Sequence, residues 1–172
     1  MKKILLTFLI LIVIVISACA DETENIAQTV TLEEVKQNPD FFWFMAGYNN
    51  FNVSQPLLLD IKQAFIPEKH SFLIYTESNC LCGSDYLKFP ALIKVLDSAD
   101  ISSDYYQIFI VQNTDAQHPY SNIFRLSRTP TFIILREGKF VYSVNDTLLL
   151  KYNFLQEPNR LEEVLLEGLK IP

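Results

Sequence analysis

From residue 31 onward the chain alternates apolar blocks with polar breaks, and the spacing of those blocks predicts a run of helices and strands. Thr31 followed by Glu34 is a capping box opening a short helix that Pro39 ends. The aromatic stretch 41–48 fits either a strand or a buried helical turn. Ser54 before Pro56 starts a helix running to Phe65, and Pro67 stops it. The β-rich run 71–76 predicts a buried strand. Leu87, Leu92, Val95 and Leu96 give 84–99 a helical spacing in which Pro90 predicts a kink. A second apolar strand follows at 105–111, then a short helix at 116–126. Strands at 131–136 and 139–144 flank Glu137-Gly138, a hairpin signal. A closing amphipathic helix at 159–169 carries Leu161, Val164, Leu165 and Leu169 on one side. No internal repeat is visible. This order predicts an α/β domain: a central mixed β-sheet covered by helices on both faces.

The first eighteen residues break the pattern. Lys2 and Lys3 precede an apolar run of about thirteen residues, shorter than the ~20 a bilayer span needs. The run ends Ile16-Ser17-Ala18-Cys19, which resembles the bacterial lipobox. That resemblance implies cleavage before Cys19 and a diacylglycerol on its thiol, tethering the rest outside the cytoplasm. The final position is then periplasmic or on the outer face of the cytoplasmic membrane. The expected organisation is a signal peptide at 1–18, a polar, acidic lipidated tether at 19–29 and one domain at 30–172. Cleavage leaves 154 of the 172 residues, and loss of Lys2 and Lys3 takes the formal charge from −6 to −8.

Composition narrows the classes. An apolar share of 49% excludes a disordered chain, and four Gly with eight Pro exclude a collagen-like one. The negative charge argues against nucleic acid as a partner. It would also keep the domain off an anionic lipid surface, leaving the lipid at Cys19 as the membrane anchor. Three cysteines is an odd count, so in an exported chain each needs a role or is left as a free thiol. If Cys19 carries lipid, one close pair remains.

That pair, Cys80-Leu81-Cys82-Gly83, falls where an apolar strand hands over to a helix. Unpaired N–H groups and the dipole at a helix start stabilise a thiolate and lower its pKa from ~8.5. Some fifty residues on, Arg128-Thr129-Pro130-Thr131 leads directly into a strand. A Pro there removes no ladder hydrogen bond, and the preceding peptide is a candidate cis bond.

Strand, cysteine motif, helix, strand, helix, Thr-Pro strand, hairpin and closing helix together resemble the thioredoxin superfamily over roughly 71–169, with 31–67 as an N-terminal part. The resemblance implies a thioredoxin-like fold and thiol–disulfide exchange on exported protein thiols or disulfides. Cys80 and Cys82 would be the catalytic pair, and Thr129 and Pro130 the loop that binds an extended substrate. No cofactor is implied. The chain departs from the family at several points. The spacing is Cys-x-Cys instead of Cys-x-x-Cys, which closes a smaller, strained ring and makes a disulfide more oxidising. Reading Cys82 as nucleophile instead puts Asp85 at the second cysteine's place and Pro90 eight residues on, as in the family. Ser78 and Asn79 stand where an aromatic residue is usual, and the strand Phe72-Leu73-Ile74-Tyr75 carries no acid.

Other readings compete. The same scaffold without redox chemistry would be a binding or accessory module of an export or envelope system. Two thiols could hold Cu(I) with His118 or His70 as third ligand, although both histidines read as solvated loop residues. Zinc lacks four nameable ligands. Glu77 and Asp85 are candidates for moving protons. Glu33-Glu34 and Glu162-Glu163 read as solvated helix faces. Phe41, Phe42, Trp43, Phe44 and Tyr48 read as core, with a partner-binding patch as the alternative. Arg125 and Arg128 flank the proline loop and would favour an acidic substrate segment.

Overall fold

A computed structural model describes residues 25–78, 87–152 and 160–172. At its centre is strand β2 (His70–Thr76), buried along almost its whole length. A strand apolar on both faces belongs in the middle of a sheet, and β2 lies there. The other strands are β1 (Gln28–Val30), β3 (Tyr106–Ile110), β4 (Thr131–Arg136) and β5 (Lys139–Ser143). They form one mixed sheet in the order β1-β3-β2-β4-β5. β2 and β3 run parallel, with Phe72 opposite Tyr106 and Thr76 opposite Ile110. The three remaining pairings are antiparallel. Glu137 and Gly138 turn the β4–β5 hairpin at φ of 51° and 75°, the left-handed pair whose twist suits a two-residue turn.

The described helices are α1 (Leu32–Gln37), α2 (Phe44–Asn50), α3 (Gln55–Ala64), α4 (Lys88–Ser98), α5 (Val144–Tyr152) and α6 (Leu161–Leu169). The capping box at α1 is present. Thr31 Oγ1 accepts from the Glu34 N–H at 3.2 Å, and the Glu34 carboxylate accepts from the Thr31 N–H at 2.7 Å. These bonds hold the Glu34 carboxyl below its ordinary pKa. All six helices contribute to one apolar cluster that includes the sheet residues Phe72, Ile74, Ile108, Phe132 and Ile134. The alternate residues Leu73, Tyr75, Phe109, Ile133 and Leu135 point the other way into a second, smaller cluster. Ala116 and Leu126 close that cluster with Tyr120 and Phe124, and among the described residues no helix takes part in it. The sheet is therefore flanked by helices, but among the described residues its second face is covered by irregular chain.

Three expectations need correction, one helix was not expected, and one stretch left open between strand and helix is settled. Residues 116–126 form turns instead of a helix. Pro119 interrupts them, and short polar side chains satisfy the backbone locally: Asn113 Oδ1 accepts from the Asp115 N–H at 2.9 Å and Ser121 Oγ from the His118 N–H at 2.9 Å. The folded domain begins before residue 30, because β1 already belongs to the sheet at Gln28 and the Ala27 N–H donates to the Gln117 carbonyl at 2.8 Å. Helix α5 follows directly on β5 and carried no periodic signal. Pro90 is the third residue of α4, where its missing N–H would have had no intrahelical partner, so no interior kink arises. In the aromatic stretch, Phe41, Trp43 and Phe44 are buried while Phe42 is 73% exposed, and the segment is helical. No helix among the described residues is long and apolar enough to cross a membrane.

Candidate functional site

The antiparallel register of β2 and β4 sets Tyr75 opposite Thr131, so the residue after β2 arrives beside the loop before β4. There Thr129 Oγ1 donates to Glu77 Oε1 at 2.6 Å. The Thr129–Pro130 peptide bond is cis.

The loop is tied down from a second side by the first turn of α5. Asn145, fully buried, donates from Nδ2 to the Pro130 carbonyl at 2.5 Å. Asp146 Oδ1 accepts from Ser127 Oγ at 3.0 Å and lies 3.5 Å from Arg128 Nε. Thr131 Oγ1 donates to the Arg128 carbonyl at 2.6 Å. Each of the five residues 127–131 thus makes a side-chain or carbonyl bond that fixes the loop. Because the Arg128–Asp146 pair is partly exposed, its share of that hold is small. What the arrangement can do chemically is present a rigid, partly buried loop edge, with one carboxylate, at the C-terminal end of a parallel strand.

Residue order points to Thr129 and Pro130, but not to the supports Asn145 and Asp146. One signal was available. Ser143-Val144-Asn145-Asp146 has the spacing of a helix start, and Ser143 Oγ accepts from the Asp146 N–H at 3.4 Å. Glu77 stands three residues before Cys80. Cys19, Cys80, Cys82 and Asp85 lie outside the described residues. Arg125 is exposed and Arg128 half-buried beside the loop.

Both histidines are buried, contrary to expectation. His70 opens β2, where Nδ1 accepts from the Ile66 N–H at 3.0 Å; burial, with Arg136 and Lys69 nearby, pushes its pKa down. It sits seven residues from Glu77, at the other end of the strand, ~23 Å away by strand rise. His118 packs under the second face. Its Nδ1 lies 3.1 Å from Tyr75 Oη, its ring is edge-on to Tyr75 at 4.9 Å, and burial lowers its pKa. Among the described residues no group of three His, Cys, Asp or Glu is placed to hold a metal ion. Glu162 is likewise no solvated face. It is buried, and its Oε1 accepts from the Ser54 N–H at 2.7 Å, tying α6 to the start of α3. Burial is the first cause of its raised pKa.

A groove of about 520 Å³ lies elsewhere, between β1, α1 and the N-terminal end of β3, where Thr31, Glu33, Lys36, Asp104 and Gln107 line it. It is at the opposite end of β3 from Glu77 and adds nothing to the proline loop. Comparison of the chain with protein-family models, curated proteins and solved structures found no match.

Proposed function

We propose that this chain is a lipid-anchored, extracytoplasmic thioredoxin-like protein that exchanges thiols and disulfides with exported proteins. The observation that carries the reading is the Thr129–Glu77 hydrogen bond of 2.6 Å. It joins the proline loop to the chain segment that runs, three residues later, into Cys80-Leu81-Cys82. A five-stranded mixed sheet in the order β1-β3-β2-β4-β5, with the loop entering β4, supports the same reading.

In the proposed cycle a Cys80 thiolate attacks one sulfur of a substrate disulfide, and the substrate's other sulfur leaves as a thiolate. Cys82, deprotonated, then attacks Cys80 Sγ and releases the second substrate thiolate. The protein's two thiols become one disulfide as the substrate disulfide becomes two thiols. Thr129 and Pro130 would hold the substrate backbone beside the mixed disulfide. Cys19 would carry the lipid.

The test is reduction of a small peptide disulfide by the domain lacking residues 1–19. Activity that Cys80→Ser abolishes supports the exchange reading. Wild-type protein that neither reduces the peptide nor forms a Cys80–Cys82 disulfide under glutathione disulfide, read by mass spectrometry, overturns it in favour of a redox-silent binding module. The Cu(I) carrier loses support, because His70 stands at the far end of β2 and His118 is engaged with Tyr75.

A further inference from the structure

The chain enters the fold at the same end of the sheet as the proline loop. Gln28 pairs with Ile110, the last residue of β3, and Ile110 pairs in turn with Thr76, the last residue of β2. Upstream of β1, Asn25 is fixed beside the continuation of β3. Its Nδ2 donates to Asn113 Oδ1 at 2.8 Å, and its carbonyl accepts from the Gln117 N–H at 2.7 Å. Asn25 and the start of β4 are three strand spacings apart, about 14 Å across the sheet. The end of the sheet that holds Glu77, Thr129 and Pro130 is therefore also the end from which the chain leaves toward Cys19.

Covalent geometry limits how far that exit can stand from the anchor. Six peptide steps separate Cys19 from Asn25, and six steps span at most about 21 Å even when fully extended. A compact domain of this length is roughly 38 Å across. Were the opposite end, with Glu68, Lys69 and the Glu137-Gly138 turn, against the bilayer, Asn25 would stand farther from it than the tether reaches. That orientation is excluded for a chain anchored at Cys19; in those that remain, end-on or edge-on through β1, Asn25 stays within about 21 Å of the bilayer and the start of β4 lies about 14 Å across the sheet from it. Ile26, 54% exposed beside Asn25, is apolar surface on the side that remains.

We infer that the proline-loop end of the domain is held toward the membrane, and that its partner is a thiol or disulfide in the membrane-adjacent, extracytoplasmic part of a membrane-embedded protein. The inference rests on the anchored thiol–disulfide reading and narrows its substrate class. A protein rooted in the same bilayer meets the loop at a raised effective concentration.

Two arms on the full lipidated chain in liposomes test this. In the first, a fluorescent amino acid at Gln112, just past β3, or at Glu68, at the far end, reports energy transfer to acceptor-labelled lipid headgroups. Transfer several-fold stronger from Gln112 is expected. Inserting about twenty Gly-Ser residues between Glu24 and Asn25, with an r.m.s. reach of ~25 Å, should collapse the difference. In the second arm, one disulfide peptide is offered free in solution or displayed on a short membrane anchor. The native chain should reduce the displayed form about fivefold faster or more, and the insertion should remove that preference while leaving the free-peptide rate unchanged. Equal transfer from both probes overturns the orientation. Oriented transfer with equal rates on the two peptides overturns the partner class. Oriented transfer with no exchange on either peptide overturns the thiol–disulfide reading and the partner class with it.

Discussion

Thr129 and Glu77, 52 residues apart in the chain, meet in a hydrogen bond of 2.6 Å that closes the gap between the end of β2 and the loop before β4. Hydrogen bonds to charged groups contribute about 1.5–3 kcal/mol, and half-burial places this one near the lower end. Thr129→Val keeps the side-chain shape and removes the donor, so it should lower stability by about 1.5 kcal/mol, whereas Thr129→Ser should stay near wild type. Urea unfolding of the two variants checks this. If Val matches wild type, the bond holds nothing in place.

Glu162 gives an acid-side test. Its folded pKa is raised, chiefly by burial. An acid with a raised folded pKa adds stability that is present below its unfolded value, near 4.5, and is lost as pH rises through the folded value. Glu162→Gln keeps an acceptor for the Ser54 N–H but cannot titrate. The deficit of the Gln variant relative to wild type should therefore shrink between pH 4.5 and 7.5. Glu162→Ala, which cannot titrate either and strands the Ser54 N–H, should show the same pH trend on top of an added cost of about 1–3 kcal/mol. Melting temperatures at the two pH values separate these outcomes.

The two buried histidines act with the opposite sign. Both have pKa values pushed below the ordinary 6.5. Each adds stability that is present above 6.5 and is lost as pH falls through the depressed folded value. For His70 the protonated ring would also give up the Ile66 N–H, since Nδ1 could no longer accept it. His118→Phe and His70→Gln should each flatten the acid limb of the stability curve just below pH 6.5. A limb unchanged in both variants would assign it to other groups.

At Gly47, α2 approaches α4 so closely that an added Cβ would lie 2.6 Å from Pro90 Cγ and 3.3 Å from Leu87 Cδ2. Gly→Ala in a helix ordinarily gains about 1 kcal/mol. Here overpacking against a stiff ring, about 1–3 kcal/mol, outweighs that gain. Gly47→Ala should lower the melting temperature, and combining it with Pro90→Ala should restore much of the loss. Thermal unfolding of the single and double variants reads the coupling; additive losses would show that the two residues do not touch.

Much of the fold was legible because its signals are local. The β2 and β4 runs are apolar enough to be recognised as central strands, and the capping box and the Glu137-Gly138 turn each carry their own chemistry. What escaped reading depends on partners distant in sequence. β1 is three residues long and owes its conformation to β3. Helix α5 contains Leu148-Leu149-Leu150, a run without period in which Leu148 is buried and Leu150 is 83% exposed. In 116–126 the apolar spacing suggests a helix, but Pro119 and the Asn113 and Ser121 turns decide otherwise. At the site, residue order located Thr129 and Pro130. The pairing with Glu77 and the brace from Asn145 arise only when the register of β2 against β4 brings them together. His70, His118 and Glu162 are buried where their residue types suggest solvent, because burial is settled by what packs over a residue, not by its type.

The uneven cover of the sheet bears on how the molecule opens. Among the described residues one face lies under six helices, each satisfying its own backbone, while the other is closed by Tyr120, Phe124 and Leu126 on chain held by scattered turns. Subglobal opening begins where ordered backbone bonds are fewest. Amide protons in 112–126 should therefore exchange with solvent ahead of those in β2 and β4. Because this cover runs without a break into Ser127 and Thr129, each such excursion also slackens the loop beside Glu77. The breathing of one sheet face thus sets how long the loop keeps its shape.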